Sequence, residues 1–217
     1  MITECTAIIA VKNGENYLRE AISSIRNQTL EISRLIVVDD HSEDSTVELC
    51  DELGIECVAS NGIGQAAATN LGISLAPTPL IAILDHDDIW DSRKTELQIE
   101  HLQKNPLAQA VYSRVQNFYS NGYVSRDFEP SRAFGASIFR KEIFQRVGLV
   151  DTTITSSNSI AWWIEVARRG IRVDSLDIPA LYRRIHKSNF NVTHPKEAQL
   201  NMFSVLRSKI DLSGKSK

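Results

Sequence analysis

Cysteine is scarce in this chain: only Cys5, Cys50 and Cys57 are present. An odd count without the paired short spacings of a metal site excludes a disulfide framework and a structural zinc. Three reduced, mostly buried thiols are expected instead. Long apolar runs are missing as well. No stretch approaches the roughly 18 consecutive apolar residues of a membrane span. No basic start followed by an apolar core marks a secretory signal. A cytoplasmic protein without a transmembrane segment is the expectation. Positive charge is not in excess either. Lys and Arg number 24 against 27 Asp and Glu, a net charge of −3. A nucleic-acid partner, which needs a basic face, is therefore not expected. Arg183, Arg184 and Lys187 make only a local basic group. Repeats and low-complexity tracts are absent.

What is present is an ordinary globular composition, 42% apolar and 24% charged over 217 residues. That is enough for one domain with a sizeable core. The first half alternates short β-branched runs with helical spacing. Strands are expected at Thr6 to Val11, Leu35 to Val38, Glu56 to Ala59 and Leu80 to Leu84. Helices are expected at Tyr17 to Asn27, from Ser42 (as cap) to Leu53, at Gly64 to Leu75 and at Arg93 to Lys104. Strands apolar on both faces and separated by helices indicate a parallel sheet covered on each side. Ligands of such sheets sit beyond the carboxyl ends of the strands. Here those ends carry Asn13, Asp39 with Asp40, and the run from Asp85.

After about residue 107 the pattern changes. Ala110 to Phe118 and Tyr123 to Phe128 read as a strand pair around Asn121-Gly122. Phe134 to Phe139 follows, then helices at Lys141 to Val147 and Ile160 to Arg168, and strands at Val173 to Leu176 and Ala180 to Ile185. Lys196 to Ile210 reads as a helix.

Asp85-His86-Asp87-Asp88 is the strongest chemical signal. Three carboxylates within four residues repel each other, and a hard divalent cation with oxygen ligands relieves that and can bridge to a diphosphate. A solvated turn capping the next helix is the plainer alternative. Val38-Asp39-Asp40-His41-Ser42 is the second signal: a strand-end carboxylate can accept from a base imide or a ribose hydroxyl, or simply cap a helix. Gly62-Ile63-Gly64-Gln65-Ala66-Ala67 fits a dinucleotide-binding fingerprint, with Asp85 at a suitable distance. It follows the third strand rather than the first, however, and leaves Asp39, Asp40, Asp87 and Asp88 without a role.

The order of these motifs resembles the inverting family-2 glycosyltransferases. The resemblance is carried by Ala7 to Leu18, Asn27-Gln-Thr29, Ile36 to Thr46, Ala67 to Ile73 and Ile83 to Trp90, and more loosely by Ser137 to Phe144 and onward to His186. It implies a GT-A-type fold. This is an α/β, Rossmann-like three-layer sandwich with a mostly parallel central sheet and a small acceptor subdomain. Residues 1–105 would form the nucleotide-sugar half and 106–217 the acceptor half of a single domain. It further implies a nucleotide pocket lined by Val11, Asn13, Asp39, Asp40, Asn70, Asp85 and His86. A Mn2+ or Mg2+ ion would lie on Asp87, with Asp85 and His186 assisting. Trp162, Trp163 and Arg184 would serve the acceptor, although aromatics on an amphipathic helix are more often core. The activity implied is metal-dependent, inverting transfer from a nucleoside-diphosphate sugar, UDP-sugar favoured. The acceptor would be a glycan, a lipid-linked glycan or, by the Arg183-Arg184-x-His186-x-x-Asn189 ending, a peptide. Polysaccharide or bacterial natural-product biosynthesis is the expected setting.

Two positions depart from the family pattern. Thr69 stands where Arg is usual, and Ser159 and Ala161 stand where the resemblance implies the acidic base. Neither Ser nor Ala takes a proton from an acceptor hydroxyl. Three readings remain open. The chain is impaired or a disabled variant; or the base comes from elsewhere, Asp151 or Glu165, or the acceptor ionises readily; or the chain binds nucleotide sugar without turnover. A dinucleotide-binding oxidoreductase is the outlying alternative.

Overall fold

The computed structural model describes residues 3–60, 62, 64–119, 124–125, 128–154, 158–187, 189 and 193–210. The strands are β1 (Cys5–Val11), β2 (Arg34–Asp39), β3 (Glu56–Ala59), β4 (Leu80–Ile83), β5 (Ile89–Trp90), β6 (Ala110–Tyr119), β7 (Glu129–Pro130), β8 (Ser137–Arg140) and β9 (Val173–Ile185). The helices are α1 (Leu18–Arg26), α2 (Thr46–Leu53), α3 (Gln65–Leu75), α4 (Lys94–Lys104), α5 (Glu142–Val147), α6 (Asn158–Arg168) and α7 (Pro195–Ile210). One sheet runs through both halves in the order β3-β2-β1-β4-β8-β6-β9-β5, with β7 added to β6.

β1 lies inside the sheet, between β2 and β4, because every residue in it is apolar or small enough to be buried on both faces. Its alternate side chains feed opposite layers. Ala7, Ile9 and Val11 pack with Leu18, Ile22 and Ile25 of α1 and Ile99 and Leu102 of α4. Ile8 packs with Ile73 of α3 and with Phe139, Trp162 and Trp163 from the second half. Helices thus cover both faces of the sheet. The approach of α3 is close enough that a Cβ on Gly72 would overlap Cγ2 of Ile8.

The strands β1 to β4 pair in parallel, as their apolar runs imply. The second half joins by the antiparallel pair β4–β8, so the whole sheet is mixed. Several boundaries differ from expectation. Ser42 does not cap α2: the helix begins at Thr46, Ser45 occupies the cap position without a side-chain bond, and Ser42 Oγ instead accepts from Asn13 N at 2.8 Å. The stretch from Phe134 divides into a 3-10 turn, Phe134–Ala136, and β8. The two strands expected near the end are one, β9, paired in parallel with β6 across a register irregularity near Arg114. The Asn121-Gly122 turn lies outside the described residues; an antiparallel bridge joins Phe118 and Val124 on either side of it. No helix among the described residues is long and apolar enough to cross a membrane.

Candidate active site

The carboxyl ends of β1, β2 and β4 form one rim. Register places Val11 beside Asp39 at that rim, and Ile83 beside Ile8 just before it. Asn13 takes a left-handed backbone, φ 55°, which Asn tolerates better than most residues. Its N–H donates to Ser42 and its Oδ1 accepts from Glu43 N at 2.9 Å, locking the β1 loop onto the β2 loop. Asp39 is buried. Its Oδ2 accepts from Ser42 N at 3.2 Å, whereas Oδ1 is buried with no partner among the described residues. A buried carboxylate oxygen left unpaired is costly.

Asp40 is also buried, but its oxygens are satisfied. Oδ1 accepts from Ser60 Oγ at 2.6 Å and Oδ2 from Gly64 N at 3.0 Å. The carboxylate therefore sits at the N-terminus of α3, where a dinucleotide's pyrophosphate would have to bind. The glycine motif serves the chain's own Asp40, and Gln65, within that motif, donates Nε2 to Asp85 Oδ1 at 2.9 Å. Asn70 is placed elsewhere. Its amide clamps the backbone of Val150, donating to O at 2.8 Å and accepting from N at 2.9 Å. Both polar atoms of the side-chain amide are thereby engaged by backbone. Thr69, in the usual Arg position, is buried and bonds back to Gln65 O.

The acidic loop crosses from β4 to the short strand β5, which pairs with β9. Asp88 N donates to Asp85 O at 3.1 Å, closing a tight turn. Asp88 is buried, and its Oδ1 accepts from Arg184 N at 2.9 Å. Asp87 Oδ2 lies 2.9 Å from His186 Nε2 and accepts from Asn189 Nδ2 at 3.1 Å. The expected pair Asp87 and His186 is thus brought together, by β9 and the residues after it. His86 is half-buried, packed against Gly14, where a Cβ would come within 3.2 Å of its ring. Asp85 opens to solvent at the rim yet is crowded by protein atoms. Loss of solvation, then repulsion from Asp87, pushes its carboxyl up to about 6. Burial and the same neighbours raise Asp88 well above the usual carboxylate range, and burial lowers the His86 imidazole.

Arg184 holds this loop rather than facing outward. Its Nε donates to Asp87 O at 3.0 Å and its Nη2 pairs with Glu20 at 2.5 Å. Its guanidinium lies over Tyr17 at 4.8 Å and Phe118 at 4.5 Å. Tyr17, Glu20, Gln65 and Asn189 were not singled out from sequence for these contacts. Only Asn189 carried a signal, its place in the ending Arg183-Arg184-x-His186-x-x-Asn189.

The positions expected to hold a base or an acceptor separate. Ala161 is buried in the core on α6. Ser159, two residues earlier, lines a groove of roughly 800 Å3 beside α6. Asp151 is exposed and accepts from Thr153 N at 2.9 Å. Glu165 is tied to Arg168 at 3.1 Å and Arg169 at 2.6 Å. Trp162 is core: it is buried against Phe134, Phe139 and Phe144, and its Nε1 donates to Gly148 O at 2.8 Å. Trp163 is also buried, but one side of it lines the groove.

This arrangement has relatives. The family model for Glycosyl transferase family 2 matches residues 6–161. The UDP-Glc:alpha-D-GlcNAc-diphosphoundecaprenol beta-1,3-glucosyltransferase WfaP of Escherichia coli is 26% identical over 221 residues, covering 93% of this chain and 84% of WfaP. The uncharacterized glycosyltransferase RT0329 of Rickettsia typhi is 39% identical over 184 residues, 74% of this chain and 58% of that protein. The crystal structure of S. aureus TarS 1-349 in complex with UDP-GlcNAc superposes with a TM-score of 0.75 at 14% identity, over 93% of this chain and 65% of that one. The chain thus spans less than two thirds of RT0329 and of that TarS chain. The likeness to TarS is one of fold, the GT-A architecture. With the family model matched across most of its length, the chain belongs to glycosyl transferase family 2 and is a glycosyltransferase.

Proposed function

We propose that the chain transfers a sugar, with inversion, from a nucleoside diphosphate to a lipid-linked acceptor, and that UDP is the nucleotide. The observation that carries the reading is the buried, unpartnered Oδ1 of Asp39 on the same rim as the acidic loop. A base imide or ribose hydroxyl arriving there satisfies it. The names of two relatives support the choice: WfaP is described as taking UDP-Glc, and TarS has been crystallised with UDP-GlcNAc.

The residues present fit a divalent cation in part. Carboxylate oxygens and a neutral imidazole suit Mn2+ or Mg2+, and the crowding of Asp85, Asp87 and Asp88 favours a positive charge among them. Asp87 would hold the ion, with Asp85 and His186 assisting. Its chemistry there is to neutralise the charge of the departing diphosphate. Among the described residues no three His, Cys, Asp or Glu side chains already surround a common point. Further oxygen ligands would have to come from the donor or from water. Asn13 and Ser42 hold the rim in shape, and Arg184 fixes the acidic loop through Asp87 O and Asp88.

A second reading is favoured by one observation: Ser159 and Ala161 occupy the place of the base, so the chain would bind nucleotide sugar without turnover. The two readings share the donor site. A panel of UDP-, GDP- and dTDP-sugars scored by thermal shift with and without Mn2+ tests that site. A shift with UDP-sugars that needs the metal is expected; no metal-dependent shift with any nucleotide would refute both.

A further inference from the structure

Tyr17 stands where a helix has little use for it. It occupies the cap position of α1 and makes no side-chain cap hydrogen bond. Ser, Thr, Asp or Asn there would hold a free N–H of the first turn. The ring is only half-buried, so burial in the core does not explain it either. Its contacts do. The Tyr17 ring lies 4.7 Å from the His186 imidazole, centre to centre, with the planes tilted by 33°. The Arg184 guanidinium lies 4.8 Å from the centre of the same ring. One aromatic ring from α1 thus touches two residues at the end of β9.

Both of those residues act on Asp87. His186 Nε2 lies 2.9 Å from Asp87 Oδ2, and Arg184 Nε donates to Asp87 O at 3.0 Å. An imidazole can turn about its χ2 bond, and only some orientations bring Nε2 to that carboxylate. A ring stacked on it restricts the turn. Arg184 is held by Phe118 at 4.5 Å on β6 and by Glu20, one turn along α1 from Tyr17. Attraction between a guanidinium and an aromatic face adds to that hold. Tyr17 is also tied to the other side of the site. Its N–H and that of Leu18 donate to Gly14 O at 3.0 and 2.9 Å, so α1 springs directly from the loop that carries Asn13. The nucleotide rim and the Asp87 carboxylate therefore lean on one ring.

We propose that Tyr17 is a positioning residue for the cation site: its ring fixes the His186 imidazole and the Arg184 guanidinium in the orientations that present Asp87 to an ion. This rests on the donor-site reading above. Tyr17 supplies no ligand. Its part is to pre-set a ligand and a loop that would otherwise have to be ordered when ion and donor arrive, and that ordering costs affinity.

Calorimetry of UDP binding to the full chain over a series of Mn2+ concentrations reads the cation site. Tyr17→Leu is expected to raise the Mn2+ needed for half-maximal binding about tenfold. At saturating Mn2+ its UDP affinity should lie within about threefold of the parent. Tyr17→Phe keeps the ring and should match the parent. Because the ring is half-buried, the metal-free Leu variant should melt no more than about 5 °C lower; if it does not fold, Tyr17→Met takes its place. Proton NMR gives a readout that needs neither metal nor nucleotide. His186 is one of five histidines, and its ring protons should lie upfield under the Tyr17 ring in the parent and move back in Tyr17→Leu. The proposal is overturned if Tyr17→Leu needs no more Mn2+ than the parent. It is equally overturned if Tyr17→Phe is impaired as strongly as Tyr17→Leu, or if the His186 signals stay in place. Metal-dependent UDP binding retained in the parent alongside any of these results leaves the donor site standing. A parent without such binding refutes the reading beneath, and the metal-free spectrum then decides whether Tyr17 sets His186.

Discussion

At the scale of single residues, Asp39 and Lys94 are opposite uses of a buried charged group. Asp39 keeps one oxygen without a partner among the described residues, which costs stability and which the proposed nucleotide would satisfy. Asp39→Asn retains the acceptor for Ser42 N and removes the buried charge. It is expected to melt no lower than the parent, while UDP affinity falls about tenfold in calorimetry. Lys94 is fully buried, its Nζ donating to Ser137 O at 3.1 Å and lying 4.3 Å from the centre of the Trp90 ring. Loss of solvation lowers its amine to about 7. The unfolded chain holds that proton up to about pH 10.4, so between about 7 and 10.4 the unfolded state binds more protons. Stability from this group therefore rises with pH across that window, by at most about 1.4 kcal/mol per unit. Below about 7 its penalty is complete. Urea unfolding of Lys94→Met should lack this rise; an unchanged slope between pH 7 and 9 would contradict the assignment.

At the scale of elements, α3 is held at both faces. Gly72 allows its close approach to Ile8, and Asn70 ties it to Val150 in the second half. Asn70→Ala removes two hydrogen bonds to one backbone position and leaves buried groups unmet. It is expected to cost about 2–3 kcal/mol in denaturant unfolding and to leave metal-dependent UDP affinity within about twofold of the parent. A large loss of affinity without a loss of stability would return Asn70 to the nucleotide site. This residue also shows where sequence reading stops. The alternation of β1 to α4 was legible because each strand is a buried apolar run and each helix carries 3.6-residue spacing. The acidic loop was legible because three carboxylates at a strand end need a cause. Asn70 was not, because its partner is a backbone 80 residues away. β5 was missed because two residues carry no period. β9 was split in two because its middle, around Asp177 and Pro179, alternates exposed and half-buried positions where the pairing with β6 slips.

At the scale of the whole molecule, one sheet carries both tasks. Its parallel half ends in the rim of Asn13, Asp39 and Asp85. The second half, with mixed pairing, returns through β9 to bring Arg184, His186 and Asn189 onto the acidic loop. The proposed donor site would therefore be assembled only when both halves fold together, and Asp87 and Asp88 are carboxylates at which they meet. The direct measurement is a calorimetric titration of UDP into the intact chain with Mn2+, repeated with the metal chelated and with Asp87→Ala. Saturable binding that is lost in both controls is the predicted result. Binding that persists without metal and in Asp87→Ala would contradict the account of the acidic loop as the cation and diphosphate site.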